Sequence, residues 1–142
     1  MRGWPLLLVS VACLDLGYSV PPGDAGSLDG AVEPYSDGGC VEGPVDPETE
    51  GVVVRIGALS VDQPLVAVPS GGVVVWFNSD VMVHRMVAGA PGAEVPLSAG
   101  GFESPNLAAS ARYAHRFCRT RSLVYHCSTH PALMSGYRLT IE

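Results

Sequence analysis

The residues with the most distinctive chemistry in this 142-residue chain stand close together near its C-terminal end. Cys127, His130 and Met134 fall within eight consecutive residues, and another histidine, His84, stands upstream. A thiolate, two imidazoles and a thioether form the donor set of a trigonal copper site with a weak axial methionine, which transfers electrons. Zinc sites use cysteine, histidine and carboxylate oxygen, whereas magnesium and calcium sites use oxygen. A thiolate combined with a thioether therefore favours copper.

The part of the chain that carries these residues has the pattern of an all-β domain. From residue 51 onward, short runs of valine, leucine and isoleucine alternate with turns that contain glycine or proline, without a helical period. Seven strands are predicted, at 51–57, 65–68, 73–78, 84–87, 111–117, 122–126 and 137–141. Short strands at this spacing predict a two-sheet antiparallel Greek-key sandwich. We therefore expect the copper domain to span residues 51–142.

Two motifs in this domain resemble those of the cupredoxins, the type 1 blue copper proteins, and especially their plastocyanin- and amicyanin-like members. The run VVVWFNSDVMVH at residues 73–84 resembles the strand and loop that carry the first histidine ligand. The run YHCSTHP at residues 125–131, followed by a methionine, resembles the ligand loop. The resemblance covers roughly residues 60–142 and implies a cupredoxin fold. It also implies one type 1 copper ion with four ligands: His84, Cys127, His130 and Met134.

The chain departs from the family pattern in two places near these ligands. The spacing Cys-x-x-His-x-x-x-Met makes the ligand loop one residue longer than the amicyanin type and one residue shorter than the plastocyanin type. Arg85 follows the first histidine, where asparagine is common in the family. Met82 is a second candidate for the axial thioether. The resemblance favours Met134 and places Met82 at the surface near His130.

The resemblance also implies roles for residues around the ligands. Asn78 is expected to tie the two ligand loops together, and the backbone N–H of Arg85 is expected to donate to the sulfur of Cys127. Pro131 has no N–H, so the thiolate lacks one possible donor, which favours Cu(II) and lowers the reduction potential.

Two further histidines are not expected to bind copper. His126 precedes Cys127 on a predicted strand, so its side chain should point to the opposite face. His115 lies on a different strand.

The first residues of the chain are typical of an export signal. In residues 1–12, Arg2 precedes an apolar run that is too short to span a bilayer but suits the core of a signal peptide. Cys13 follows this run, as in the lipobox of bacterial lipoproteins. Lipidation at Cys13 is one expectation, and simple secretion or an uncleaved anchor is the alternative. Each predicts an exported protein, and lipidation predicts a periplasmic one held to the membrane by its N-terminal lipid.

Residues 13–50 are predicted to form a disordered acidic linker. Residues 14–50 contain nine acidic residues and no basic one, together with many glycines, prolines and serines. Such a stretch buries too little apolar surface to offset its ordering entropy. The net charge of −6 is therefore segregated, because residues 51–142 contain seven arginines and five acidic residues. These arginines are too scattered to predict a nucleic-acid site.

Two cysteines, Cys40 and Cys118, remain after the lipidation and copper candidates are set aside. In an oxidising compartment they are expected to pair, which would join the end of the linker to the domain. The alternative is two unpaired, buried thiols.

The predicted function is one-electron transfer between redox proteins by a monomer, without enzymatic activity. The sequence has no nucleophile motif, no nucleotide-binding glycine loop and no signature of a second copper cluster. The alternative is an exported carrier or store of copper, which would favour a more open, methionine-rich site. Short-lived redox encounters use small apolar surfaces. The apolar residues expected around His130 are Met82, Val83, Pro131, Ala132 and Leu133.

Overall fold

A computed structural model describes residues 36–142 of the chain, so the predicted signal peptide and Cys13 lie outside the described residues. The described part contains twelve strands and one 3-10 turn at Leu97–Ala99. No helix within it is long and apolar enough to cross a membrane. The strands are β1 (Ser36–Asp37), β2 (Cys40–Val41), β3 (Gly43–Val45), β4 (Val52–Gly57), β5 (Ser60–Val61), β6 (Leu65–Val68), β7 (Val73–Asn78), β8 (Met86–Ala90), β9 (Ala93–Glu94), β10 (Arg112–Arg116), β11 (Arg121–Cys127) and β12 (Tyr137–Ile141).

Two five-stranded sheets form the predicted β-sandwich, which is confirmed. One sheet has the order β3-β10-β7-β4-β5 and the other the order β6-β12-β11-β8-β9, while β1 and β2 form a small hairpin. The sheets are mixed rather than wholly antiparallel, because β4 pairs with β7 and β6 pairs with β12 in parallel. Parallel neighbours require a long crossover. The chain makes one when it leaves the β4–β5 hairpin for the other sheet, forms β6 and returns as β7.

Every second side chain along a strand points into the core between the two sheets. In β7, Val74 and Trp76 belong to the main apolar cluster, whereas Val73 and Val75 belong to a smaller cluster of their own. The fully buried ring of Trp76 stacks on Phe102 with 4.5 Å between the ring centroids. This alternation between two clusters specifies the register of β7, because a slip by one residue would move Trp76 out of the main cluster. The end of β7 is therefore held in a fixed position.

The ordered domain begins before residue 51, and the prediction of a disordered linker is wrong for residues 36–50. Strand β3 pairs with β10, so it belongs to the first sheet. The predicted pair of Cys40 and Cys118 forms a disulfide with 5.9 Å between its Cα atoms. Next to it, the buried carboxylate of Glu42 accepts hydrogen bonds from the backbone N–H of Cys118 and from the Arg121 guanidinium.

The environment of Glu42 explains why the number of acidic residues did not predict an ordered segment before residue 51. Burial raises its pKa, but the hydrogen bonds from Arg121 and the backbone, together with the charge of Arg121, outweigh burial and hold the pKa below its usual value. This carboxylate is therefore a buried, paired group rather than part of a solvated acidic chain.

Candidate metal centre

Three donor atoms predicted from the sequence meet at one end of the sandwich. The Sγ of Cys127, the last residue of β11, lies 3.6 Å from Nδ1 of His84 and 3.8 Å from Nδ1 of His130. All three atoms lie within 4.8 Å of one another. His84 and Cys127 are fully buried, and His130 is partly exposed. The site is therefore closed on the interior side and reaches the surface at His130.

The separations between these atoms can be compared with those of a bound metal. Typical metal–thiolate and metal–imidazole bonds are about 2.3 and about 2.0 Å long. For two such bonds about 120° apart, as in a trigonal site, sulfur and nitrogen lie about 3.7 Å from each other. The separations of 3.6 and 3.8 Å lie on either side of this value. Both sulfur–nitrogen separations are thus compatible with a metal ion held by Cys127 and a histidine.

His84 is held by a neighbouring segment rather than by a strand of its own. The predicted strand at 84–87 begins two residues later, at Met86, and His84 forms an isolated bridge with Leu107. Its N–H donates to the Leu107 carbonyl over 3.1 Å, and the Leu107 N–H donates back over 2.7 Å. This bridge fixes the backbone from which the His84 ring projects.

The loop that carries His130 is closed by its own backbone hydrogen bonds. The N–H of Cys127 donates to the Met134 carbonyl over 2.8 Å, and the N–H of Met134 donates to the His130 carbonyl over 2.9 Å. The N–H of Ser128 donates to the carbonyl of Arg85 over 2.8 Å, which ties the loop to the segment that follows His84. The two ligand-bearing segments are therefore joined directly by backbone contacts.

Burial separates the candidate thioethers. Met134 is fully buried in the same apolar cluster as Cys127, whereas Met82 is 36% exposed. A third candidate, Met86, is fully buried and is the cross-strand partner of Cys127, which its position outside the two ligand motifs does not reveal. Directly opposed residues of an antiparallel pair share one face of the sheet. An axial role for Met134 remains a prediction, and Met86 is the appropriate comparison for it.

The hydrogen bonds of Asn78 in the structure differ from those expected from the sequence. Its side-chain amide donates to the carbonyls of Met82, over 2.7 Å, and Leu107, over 2.9 Å. The hydrogen bonds of residues 36–142 include none from Asn78 to the loop that contains His130, so it does not tie the two ligand loops together. It joins the segment before His84 to the segment around Leu107, because these are the carbonyls that the end of β7 faces.

The expected hydrogen bond from the N–H of Arg85 to the Cys127 sulfur is likewise not among the hydrogen bonds of the described residues. Arg85 contacts the ligand loop through its carbonyl, which accepts from Ser128, and its guanidinium pairs with Glu103 at the surface. Pro131 lies exposed in the turn of the ligand loop.

One residue of the site was missed by the sequence analysis. The carboxylate of Asp80 lies 3.1 Å from Nε2 of His84, on the side of the ring away from Cys127. The hydrogen bond with His84 is the largest influence on Asp80 and lowers the pKa of its carboxyl. An acidic residue four positions before a candidate ligand histidine is a signal that the sequence does contain.

Tyr137 and the other two histidines of the described residues do not belong to the cluster of donor atoms. Burial, and then the charge of Cys127, raise the pKa of Tyr137. His126 is buried with Nδ1 2.8 Å from the Gly89 carbonyl oxygen, and His115 is buried with Nδ1 2.8 Å from the hydroxyl of Tyr113. Neither belongs to the metal cluster found among the described residues.

Apolar side chains are exposed on the two loops that carry the histidines. Val81, Val83 and Met82 precede His84, and Leu133, which is 65% exposed, follows His130. Four of the eight large exposed apolar side chains of the described residues thus belong to these two loops.

No protein-family profile matches the chain, and no curated protein matches it. Solved structures do match. An oxidised methionine-to-leucine variant of amicyanin is 24% identical with a TM-score of 0.56, over 70% of this chain and 91% of that one. The Cu(I) form of a methionine-to-alanine variant of amicyanin is 22% identical with a TM-score of 0.56 over the same shares. A purple cupredoxin from Nitrosopumilus maritimus is 24% identical with a TM-score of 0.55, over 64% of this chain and 99% of that one. The described domain therefore has the cupredoxin fold.

Proposed function

We propose that this chain of cupredoxin fold is a type 1 copper protein that transfers single electrons between redox partners. The observation that carries the proposal is the meeting of the Cys127 sulfur with the Nδ1 atoms of His84 and His130 at 3.6 and 3.8 Å. A copper ion held by these residues would supply a Cu(I)/Cu(II) couple that accepts and releases one electron. The chain itself supplies the donor atoms, their burial and their fixed positions.

Each donor residue has a separate task in this proposal. Cys127 binds as a thiolate, since only the deprotonated sulfur is a ligand. His84 supplies a buried imidazole, and His130 supplies the imidazole whose edge reaches the surface and offers the route for electrons. Met134 supplies the buried axial thioether, which is weak and helps to set the reduction potential.

A carrier or store of copper is the alternative, and the rigidity of the site speaks for electron transfer instead. His84 is held by two backbone hydrogen bonds to Leu107, and the ligand loop is closed by hydrogen bonds between Cys127, His130 and Met134. A site whose donors hardly move suits rapid electron exchange, whereas release of an ion requires the donors to open. The sequence has neither a nucleophile motif nor a nucleotide-binding glycine loop, which supports a carrier of electrons rather than an enzyme.

We further propose that redox proteins dock on the exposed apolar loops around His130. The patch consists of Val81, Met82, Val83, Pro131, Ala132 and Leu133. Apolar surfaces that face solvent near a functional site commonly serve brief protein encounters. Because the patch belongs to the loops that carry the two histidines, docking there would bring a partner close to the partly exposed His130.

The proposed setting is an exported monomer. The apolar run of residues 1–12 and the cysteine after it support export, with lipidation at Cys13 as the proposed anchor. The disulfide between Cys40 and Cys118 fits an oxidising compartment such as the periplasm.

Copper loading tests the proposal. The purified chain, treated with one equivalent of Cu(II), is expected to bind a single ion and to develop an intense visible thiolate-to-copper absorption. Cys127→Ser is expected to remove the absorption, whereas Ser128→Ala, at the next position, is expected to keep it. Copper bound without intense colour in the unmodified chain would overturn the proposal.

A further inference from the structure

We infer that Asp80 is a positioning residue of the metal centre, which fixes the tautomer of His84 and places a negative charge behind it. This inference rests on the proposed function and deepens it. Its basis is the contact between Asp80 Oδ2 and His84 Nε2, which are 3.1 Å apart. The side chain of His84 is fully buried and that of Asp80 is only 10% exposed, so water competes little for this hydrogen bond.

The contact determines which nitrogen of His84 carries the proton. A neutral imidazole has one N–H donor and one acceptor nitrogen, and an ionised carboxylate can only accept. The proton therefore lies on Nε2, where it is donated to Asp80. Nδ1, which lies 3.6 Å from the Cys127 sulfur, keeps its free electron pair on the side of the metal site. Asp80 thus holds His84 ready to bind before any ion arrives.

Asp80 is itself held in place by hydrogen bonds. Its Oδ1 accepts from the N–H of Val81 over 2.6 Å, and its own N–H donates to Oδ1 of Asn78 over 2.8 Å. Asn78 is fully buried, and its amide donates to the carbonyls of Met82 and Leu107. The position of the carboxylate is therefore fixed from the end of β7 rather than by the ligand loop.

A fixed carboxylate behind a ligand has an electrostatic consequence that a neutral acceptor lacks. Its full negative charge favours the more positive state of the bound ion, and it makes the imidazole a stronger donor. Loss of such a partner to a ligand histidine typically weakens metal binding by about 10- to 100-fold. We expect the loss here to be greater for Cu(II) than for Cu(I), by about tenfold, so Asp80 lowers the reduction potential.

The test compares two substitutions that each remove one negative charge near the site. Asp80→Asn keeps the size of the side chain but removes its charge. Glu103→Gln removes the charge of an exposed carboxylate that pairs with Arg85, next to His84, and touches no donor residue. Asp80→Asn is expected to raise the reduction potential by about 59 mV, the equivalent of a tenfold change for one electron. Glu103→Gln is expected to change it by less than a third of that amount.

A second measurement uses the unmodified, metal-free chain, so it depends neither on copper loading nor on the folding of a variant. Nitrogen NMR of the full-length, metal-free chain is expected to show His84 with its proton on Nε2 and a free Nδ1. A proton on Nδ1, or equal shifts in potential for Asp80→Asn and Glu103→Gln, would overturn the inference. In the second case the unmodified chain would still be blue and redox-active, so the proposed function would stand. If the chain does not bind copper at all, the proposed function fails, and the NMR result then still tests whether Asp80 fixes the tautomer of His84.

Discussion

The Sγ of Cys127 lies 3.6 Å from Nδ1 of His84, although 43 residues separate them in the chain. Cys127 ends β11, and His84 stands two residues before β8, which pairs with β11 through the register of Cys127 with Met86. The sheet therefore brings the two donors together, and the short loop that follows Cys127 adds His130. The geometry of the site follows from strand pairing plus one tight turn.

The axial ligand can be identified by comparing three methionines. Met134→Leu is expected to leave copper bound and to raise the reduction potential by at least about 59 mV, because a donor that favours Cu(II) is lost. Met86→Leu, at the other buried position, and Met82→Leu, at the surface, are expected to change the potential much less. Voltammetry of the three variants measures these shifts and so identifies the axial ligand. A larger shift for Met86→Leu would transfer the axial role to that residue.

The apolar patch around His130 predicts where electron exchange takes place. Leu133→Asp places a negative charge in the patch, so two copies that meet through it would repel each other. Electron self-exchange, measured by NMR line broadening, is expected to slow by about tenfold or more. Val41→Asp is the control, because Val41 is exposed and lies beside the disulfide cysteine Cys40. Equal slowing in both variants would contradict docking at the patch.

The disulfide is expected to contribute a large share of the free energy of unfolding of the domain. It closes a loop with a sequence separation of 78 residues. In the chain-entropy model, such a loop destabilises the unfolded state by up to about 4.5 kcal/mol. The Cys40→Ser/Cys118→Ser variant is expected to lose much of this free energy of unfolding in a denaturant titration. A loss below about 1 kcal/mol would mean that β3 and the Glu42 carboxylate hold the N-terminal residues without the covalent link.

The buried His115 in β10 is expected to make the free energy of unfolding depend on pH. Burial, opposed by the charge of Glu42 and aided by that of Arg121, lowers the pKa of His115 to about 4. The unfolded chain binds this proton at about pH 6.5. Because the unfolded state binds more protons between these values, stability falls as the pH falls from about 6.5 to about 4, by up to about 3 kcal/mol.

This pH dependence can be isolated in the metal-free protein. The hydroxyl of Tyr113 faces Nδ1 of His115, so the informative pair is Tyr113→Phe alone against Tyr113→Phe/His115→Phe. Only the first is expected to lose stability steeply between pH 6.5 and 4 in denaturant unfolding. Parallel pH profiles for the two variants would show that another group is responsible.

The candidate donor residues could be predicted from the sequence because their chemistry is local; Cys127, His130 and His84 meet in the structure, and the axial role of Met134 stays a prediction. Cys127, His130 and Met134 share one loop, and the combination of thiolate, imidazole and thioether admits few metals. His84 was identified through its resemblance to the family motif, since spacing alone does not relate residues 43 positions apart. Seven of the twelve strands of the described residues were predicted from their runs of apolar residues, whereas the two- and three-residue strands β1, β2, β3, β5 and β9 are too short to show such a run. The parallel pairs were missed because the sequence of one strand does not reveal the direction of its neighbour.

The roles of Glu42, Asp80 and Asn78 depend on contacts in the folded chain that cannot be read from its composition. Glu42 reads as one of nine acidic residues in a linker, and only the fold shows that Arg121 and two backbone N–H groups neutralise it. The same holds for Asp80, whose importance comes from the direction of the His84 ring. Asn78 was recognised as a hydrogen-bonding residue, but its partners depend on which carbonyls lie near the end of β7.

A redox titration of the copper-loaded, full-length chain tests the central claim most directly. One electron equivalent is expected to bleach the visible absorption completely, and one equivalent of oxidant is expected to restore it, with no copper passing to a Cu(I) chelator in between. Such a cycle is the behaviour of an electron carrier with fixed donors. Loss of the ion to the chelator on reduction, or colour that does not return, would contradict the account and favour a copper carrier.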